Sequence, residues 1–186
     1  MPKHKIIHIT AITGNKGFSL VELMIVIAII AVISAFSIPA ILNPENKARK
    51  AARELMGDMH YTRTAAIKDN QDYAIVFRVA NGDYLICSDS GVDNVWSATA
   101  DNTVVKTISF TDYGAGIQYG NGTAVNPVGA AFGNGVTYNV DVLTFNPQGT
   151  CSAGYVYLFY RDATYAIGTL STGIIRVFRW VAGGWQ

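Results

Sequence analysis

A long apolar run near the N-terminus constrains this chain of 186 residues more than any other feature. No charged residue occurs from Leu23 to Leu42, where the sequence is LMIVIAIIAVISAFSIPAIL. As an α-helix rising about 1.5 Å per residue, this run would be roughly 30 Å long, which matches the hydrocarbon core of a bilayer. A helix also satisfies its own backbone hydrogen bonds, which lipid does not do for it. The run therefore predicts one membrane span.

Glu22 stands at the start of this run, inside the apolar stretch that begins at Phe18. A carboxylate costs about 2.5–3.5 kcal/mol at the centre of a membrane helix and less near its end, so such a residue indicates a functional site with a cationic partner. No Lys or Arg follows within two helical turns, and the nearest one upstream is Lys16. Cleavage after Gly17 would create an amino group on Phe18 that is closer to Glu22 than Lys16 is.

The segment KGFSLVELMIVIAIIAVISAFSIPA resembles the class III signal of type IV pilins and type II secretion pseudopilins. The resemblance implies that a prepilin peptidase cuts after Gly17 and methylates the new N-terminus at Phe18. It also implies that Glu22 pairs with the N-terminal ammonium of a neighbouring subunit during assembly. The alternatives are a plain membrane anchor with an incidental Glu, and an ordinary secretory signal cleaved near Ala35 or Ala40. The run is much longer than the ~7–15 residues of a secretory signal core.

The chain divides into four predicted segments. Residues 1–17 form a basic leader without acids, residues 18–42 the transmembrane and assembly half of a long helix, residues 43–70 its amphipathic half, and residues 71–186 a β-rich domain.

Pro39 removes one helical hydrogen bond and predicts a kink or local unwinding. Basic residues flank the span on both sides, so they do not decide its orientation. The resemblance implies a single-pass inner-membrane protein with the leader in the cytoplasm and the domain in the periplasm.

The period of the apolar residues changes after the helix, which we expect to end at about Asp69. Tyr73–Val79, Asn81-Gly82 and residues 84–87 predict a β-hairpin, and Gly114 to Gly135 predicts a long loop with at most one short hairpin. Further strands are predicted at residues 104–110, 143–145, 155–160, 165–170 and 174–181. The predicted fold class is α+β: a long N-terminal α-helix, membrane-spanning in its first half, packed on an antiparallel β-sheet domain, as in pilins.

The numbers of cysteines, charged residues and histidines limit which disulfides and which binding or catalytic sites this chain can have. Two cysteines allow one bridge, Cys87–Cys151, while two unpaired, buried thiols are the alternative; spacing alone does not decide. Without the leader the chain has 11 basic and 13 acidic residues, so bulk charge does not suggest broad nucleic-acid binding. His60 is the only histidine outside the leader, and we expect no catalytic residue, metal ligand or cofactor.

A second resemblance covers most of the remaining chain. LTFNPQGTCSAGYVYLFY and TLSTGIIRVFRW are similar to the C-terminal part of the GspH/FimT-type minor pseudopilins. Some relatives in that family bind DNA through basic residues near the C-terminus, which implies Arg176 and Arg179 as DNA contacts here. Ile174 stands where the family often has Arg, which weakens that implication.

The sequence therefore predicts a non-catalytic minor pseudopilin or minor pilin, which assembles into or primes a type II secretion pseudopilus or type IV pilus. The alternative is a minor pilin that acts as a DNA receptor in natural transformation. The implied partners are a prepilin peptidase, other pilin or pseudopilin subunits, an inner-membrane assembly platform and membrane lipid, with DNA only under the alternative.

Overall fold

The computed structural model describes residues 18–41, 44–129 and 131–186, and within these the side chains of residues 35–41, 44 and 45 are not described. The chain forms two units, which divide after Ile41. Each unit is described by itself below. The predicted leader, residues 1–17, lies outside the described residues.

The first unit contains one helix, α1, at Leu20–Ile41. The amide of Leu23 donates to the carbonyl of Ser19 at 3.1 Å, which makes Ser19 the residue that precedes the helix. The helix continues through Pro39, whose predicted kink stays a prediction. Within the described residues, no helix combines the length and the apolarity that a membrane crossing requires.

The second unit begins with α2, at Pro44–Asp69. Proline suits the first position of a helix because its missing N–H would have no partner there. At the other end Asn70 adopts a left-handed conformation with φ of 52°, and the amide of Gln71 donates to the carbonyl of Ala66 at 3.2 Å. This is the Schellman arrangement that ends many helices, and it agrees with the predicted end near Asp69.

Nine strands follow, and every pairing between them is antiparallel among the described residues. The first sheet has the order β3-β2-β1-β5 and the second the order β4-β6-β7-β8-β9. The strands are β1 Tyr73–Arg78, β2 Asp83–Asp89, β3 Thr103–Ser109, β4 Gln118–Tyr119, β5 Val142–Phe145, β6 Gly154–Tyr160, β7 Ala163–Thr169, β8 Ile175–Val181 and β9 Gly184–Trp185.

The hydrophobic core of the second unit lies between α2 and both sheets. The helix contributes small and flexible residues, among them Ala48, Ala52, Leu55 and Met59, each at most 1% exposed. Alanine lets the helix backbone approach the strands closely, and the large side chains come from the strands. The core residues of the strands include Ile75, Tyr84, Leu143, Phe145, Val156, Leu158 and Ile167. All buried residues of this cluster lie within residues 48–167.

The long glycine-rich loop covers the other face of the second sheet. The Tyr157 hydroxyl donates to the carbonyl of Val128 at 3.0 Å and accepts from its amide at 2.9 Å. The indole N–H of Trp185 donates to the carbonyl of Asn126 at 2.6 Å. These bonds satisfy polar groups of a segment that has little regular structure. Its described part contains β4 and an isolated bridge between Val136 and Val156.

Cys87 and Cys151 do not form the disulfide that the sequence allows, and both are free thiols. Cys87 of β2 pairs with Ala74 of β1, and Ala74 pairs in turn with Thr144 of β5. Cys151 pairs with the next residue of β5, Phe145, through an isolated bridge. Opposed residues of antiparallel strands share a face, and successive residues alternate between faces. Because Thr144 and Phe145 are successive, the two thiols lie on opposite faces of the first sheet. A bridge between them is therefore a wrong prediction. Of the alternative, two unpaired and buried thiols, the structure has both thiols unpaired but only Cys87 buried, while Cys151 is half-buried.

Candidate assembly site

Phe18 and Glu22 lie at the N-terminal end of α1. Phe18 is 81% exposed, and Glu22 is an exposed residue in the first helical turn. An acidic side chain is favourable in a first turn because the helix dipole is positive there. No Lys, Arg or His occurs in the sequence between Phe18 and Asn46, so this segment supplies no cation for Glu22. Gly17, the predicted cleavage position, lies outside the described residues.

Beyond Glu22, the described surface of α1 is predominantly apolar on every side. Large side chains are exposed at successive positions around the helix and not along one stripe. A helix that is apolar all round is one that a larger apolar environment covers. The exposed side chains are Leu20, Val21, Leu23, Met24, Ile25, Val26, Ile27, Ile29, Ile30, Val32 and Ile33, each between 44% and 75% exposed.

One side of α1 also carries a shallow apolar groove. It is lined by Ile25, Ala28, Ile29, Val32 and Ile33. Ala28, Ile29, Val32 and Ile33 follow Ile25 by three, four, seven and eight residues, so all five lie on one side of the helix. The larger side chains form neighbouring ridges, with the small Ala28 between them. A ridge of side chains on another helix fits such a groove.

Two turns of the C-terminal region meet on α2 at Arg63. The Nε of Arg63 donates to the carbonyl of Gly149 at 2.9 Å. Gly149 and Gly173 both have positive φ, 75° and 80°, and a Cβ on Gly173 would lie 2.0 Å from the Gly149 oxygen. Only glycine fits this approach. The segments 146–149 and 171–173 are rich in Asn, Pro, Ser and Gly, so the sequence predicts a turn at each. It does not identify Arg63 as the residue beside which they meet.

A buried carboxylate links α2 to the first sheet. Asp58 is 6% exposed, and it accepts hydrogen bonds from the Tyr84 hydroxyl and the Lys106 ammonium, both at 2.8 Å. Burial, and then the charge of Asp58, raise the pKa of Tyr84 far above its ordinary value. Burial opposes the charge on Lys106, but the hydrogen bonds and negative charges of Asp58 and Glu54 together outweigh it and raise the pKa of Lys106. We interpret this cluster as structural because its members pair with one another.

The two candidate DNA contacts are not brought together. Arg176 lies opposite Gly168 in β8, and Arg179 lies opposite Tyr165. Because Arg176 and Arg179 are three residues apart in the same strand, their side chains point to opposite faces of the second sheet. The geometry thus gives the DNA-receptor alternative no composite basic site at these residues.

The acidic loop after β2 forms its own turns. Asp89 accepts a hydrogen bond from the amide of Gly91, and Asp93 accepts one from the amide of Val95, both at 2.8 Å. In the part of the chain that the structure describes, no three His, Cys, Asp or Glu residues form a group that could hold a metal ion.

Comparison with known sequences gives two family matches. Residues 12–38 match the prokaryotic N-terminal methylation motif, and residues 51–173 match the type II transport protein GspH. No protein with a curated description matches significantly.

Solved structures of similar fold include two minor subunits. The minor pseudopilin EpsH of the Vibrio cholerae type II secretion system has a TM-score of 0.50 and 12% identity, covering 73% of this chain and 95% of that one. The type IV minor pilin FimU of Pseudomonas aeruginosa strain PAO1 has a TM-score of 0.48 and 15% identity, covering 71% and 88%.

An N-terminal methylation motif followed by an α+β domain of this kind defines a type IV pilin-like protein. Because the second match extends over more than half of the sequence, the chain belongs to the type II transport protein GspH family. Members of this pilin-like class are anchored to the membrane through the N-terminal motif. The motif also implies processing by a prepilin peptidase and assembly with other pilins.

Proposed function

We propose that this chain is a non-catalytic minor pseudopilin or minor pilin that assembles into, or primes, a type II secretion pseudopilus or type IV pilus. A prepilin peptidase cleaves it after Gly17 and methylates Phe18. The observation that supports this proposal is Glu22, an acidic residue on an apolar helix whose own segment contains no cation.

In the proposed mechanism, cleavage supplies the missing cation. The new ammonium group of Phe18 in one subunit pairs with the Glu22 carboxylate of its neighbour. In an apolar surrounding an unpaired carboxylate is costly, so the position in which the two charges meet is favoured over other axial positions. The surfaces of α1 around Ile25, Ala28 and Ile29 pack against neighbouring helices, first in the membrane and then in the fibre.

The proposed location follows from the same arrangement. The chain crosses the inner membrane once over residues 18–42, with the leader in the cytoplasm and the β-rich domain in the periplasm. An inner-membrane assembly platform and neighbouring subunits are the partners in this location. Pro39 permits the bend that a helix needs when it leaves the bilayer for a fibre.

The replacement Glu22→Gln tests the proposed mechanism. It keeps the size of the side chain and removes its charge, so membrane insertion and cleavage should continue. Incorporation into filaments should fall about tenfold or more, which corresponds to a loss of about 1.4 kcal/mol of pairing free energy. The measurement is the amount of the subunit in sheared filaments relative to the membrane fraction.

The matched control is Asp93→Asn, which removes an exposed carboxylate from the second unit. It should leave incorporation unchanged because Asp93 lies in a self-contained turn. Equal incorporation of Glu22→Gln and the unaltered chain would refute the proposed pairing.

A further inference from the structure

An open groove of about 600 Å³ lies on the face of the first sheet that α2 does not cover. Val76 and Arg78 of β1 form its floor, because the residues that alternate with them belong to the core under α2. One wall comes from the loop between β2 and β3, and the other from the short turn that precedes β5. The lining residues that matter for its chemistry are Val76, Arg78, Ser97, Thr99, Val140 and Asp141.

The wall next to β5 has a strained backbone. Val140 has φ of 48° and ψ of 30°, and Asp141, which follows it, has φ of 58°. This left-handed region is unfavourable for residues other than glycine, and for a β-branched valine most of all. Burial of Val140 does not offset the strain, because this residue is 65% exposed. Strain without a packing benefit is typical of a functional site.

The strained residues also keep the groove open. The pairing of β1 with β5 ends at Val76 and Val142. If the same antiparallel register continued, residue 140 would lie opposite Arg78 and β5 would extend along the floor. Left-handed residues do not continue a β-strand, so Val140 and Asp141 turn the chain away at this point. The backbone strain therefore separates the wall of the groove from its floor.

Asp141 gives the groove its net charge. Of the described residues that line the groove, only Arg78 and Asp141 are charged. Arg78 is neutralised by Asp83, whose carboxylate accepts hydrogen bonds from Nε at 2.7 Å and from Nη2. In the part of the chain that the structure describes, no salt bridge involves Asp141. The groove is therefore negative, and it complements a cation.

The Asp141 carboxylate is held in place while one of its oxygens stays free. Asn134 Nδ2 donates to Oδ2 of Asp141 at 2.8 Å, and the amide of Val136 fixes Asn134 by donating to its Oδ1 at 3.0 Å. No side chain or amide within the described ranges donates to Oδ1 of Asp141. A fixed acceptor beside the apolar side chains of Val76 and Val140 suits a cation on an aliphatic stem.

We propose that this groove binds a lysine side chain of a neighbouring filament subunit. The lysine ammonium pairs with Asp141 and donates to the hydroxyls of Ser97 and Thr99, while its methylene groups lie against Val76 and Val140. Lysine fits better than arginine, because a guanidinium favours two free carboxylate oxygens and this site offers one. The inference rests on the proposed function, and it adds a contact between subunits outside the apolar helix.

An NMR titration of residues 44–186 tests the recognition directly. This fragment belongs to the second unit and contains every buried residue of the core cluster, and circular dichroism checks that it folds. The probe is Nα-acetyl-lysine methylamide, and its uncharged counterpart is Nα-acetyl-norleucine methylamide. The lysine probe should shift the backbone amide signals of Thr99, Val140 and Asp141, and saturate with a Kd on the order of 1 mM. The norleucine probe should bind about tenfold more weakly or less.

The replacement Asp141→Asn identifies the recognising group. It removes the charge and keeps the size, an oxygen that accepts from Asn134, and a residue type that tolerates the left-handed conformation. It should weaken lysine binding about tenfold or more. The matched control is Asp162→Asn, which removes an exposed carboxylate from the turn between β6 and β7 and should leave binding unchanged.

Three results of the titration would overturn the proposal. They are the absence of a saturable shift, equal binding of the lysine and norleucine probes, and equal binding by Asp141→Asn and the unaltered fragment. An equal loss in Asp141→Asn and Asp162→Asn would also overturn it, because the binding would then follow net charge and not the groove.

Incorporation of the full chain into sheared filaments tests whether the lysine belongs to a neighbouring subunit. Asp141→Asn should lower incorporation about fivefold or more, and Asp162→Asn should leave it unchanged. Probe binding together with normal incorporation of Asp141→Asn would assign the groove to free amines and overturn the contact between subunits. The titration is decided separately from the proposed pairing of Glu22 with Phe18, because neither residue is in the fragment.

Discussion

At the scale of single residues, this fold depends on a few positions that admit one side chain only. Gly173 approaches the carbonyl of Gly149 more closely than any Cβ permits, and Arg63 of α2 donates a hydrogen bond to the same carbonyl. The sequence marks both glycines as turn residues. It does not show that the turns meet, because they are separated by strands β6 and β7.

Replacing Gly173 by Ala should lower the free energy of unfolding of the second unit by about 2–4 kcal/mol, because the Cβ adds a backbone clash to the strain of a positive φ. Gly82→Ala is the matched control, since Gly82 also has positive φ, 69°, but has open space around it. It should cost about 1 kcal/mol. Urea denaturation measures both, and equal losses would show that the contact with Gly149 is not close.

Tyr84 gives the domain a dependence on alkaline pH. Its pKa is raised by burial and by Asp58, so it stays protonated in the folded state while it ionises in the unfolded state. A raised pKa contributes stability that is complete below the ordinary pKa of about 10 and is lost as pH rises above it. Stability should fall by about 1.4 kcal/mol per pH unit from this residue alone.

With Tyr84→Phe, the free energy of unfolding should decrease less steeply above pH 10, by about 1.4 kcal/mol per pH unit. The replacement should also lower stability near pH 7 by about 1–3 kcal/mol, since buried Asp58 loses one of its donors. Urea denaturation between pH 7 and 11 measures both effects. The same slope in the variant and the unaltered chain would contradict the assignment of the pKa to Tyr84.

At the scale of helices and strands, local pattern predicts the elements and long-range pairing decides their arrangement. The predicted hairpin of β1 and β2 is present, with a short 3₁₀ turn, Val79–Asn81, in place of a two-residue turn. The end of α2 is also as predicted. The division into two sheets was not predictable, because it depends on β1 pairing with β5 across more than sixty residues, which leaves no local signal. The predicted disulfide failed for the same reason: spacing does not show which face of a sheet a cysteine occupies.

The cysteines provide a test of that sheet arrangement. Cys87 and Cys151 should both be alkylated in denaturant without prior reduction, and a reducing agent should leave the thermal unfolding midpoint unchanged. Burial raises the pKa of both thiols, which also slows their oxidation while the domain is folded. Peptide mass spectrometry measures the alkylation. A Cys87–Cys151 bridge in the purified protein would show that the first sheet is paired differently.

At the scale of the whole molecule, the two units divide the tasks of the protein. The family match and the β-rich fold belong to the second unit, while the methylation motif falls on the first. The central proposal concerns the first unit: a processed chain start meets the Glu22 of another copy. The sequence alone leads to this proposal, because the apolar run, the Gly-Phe junction and the carboxylate are adjacent in the chain.

The most direct test is the N-terminal residue of the mature protein. Mass spectrometry of the chain purified from membranes should find a first residue of Phe18 that carries one methyl group, with residues 1–17 removed. An intact N-terminus, or a chain that begins near Ala35 or Ala40, would leave Glu22 without the proposed partner. Either result would contradict the account of this protein as an assembling filament subunit.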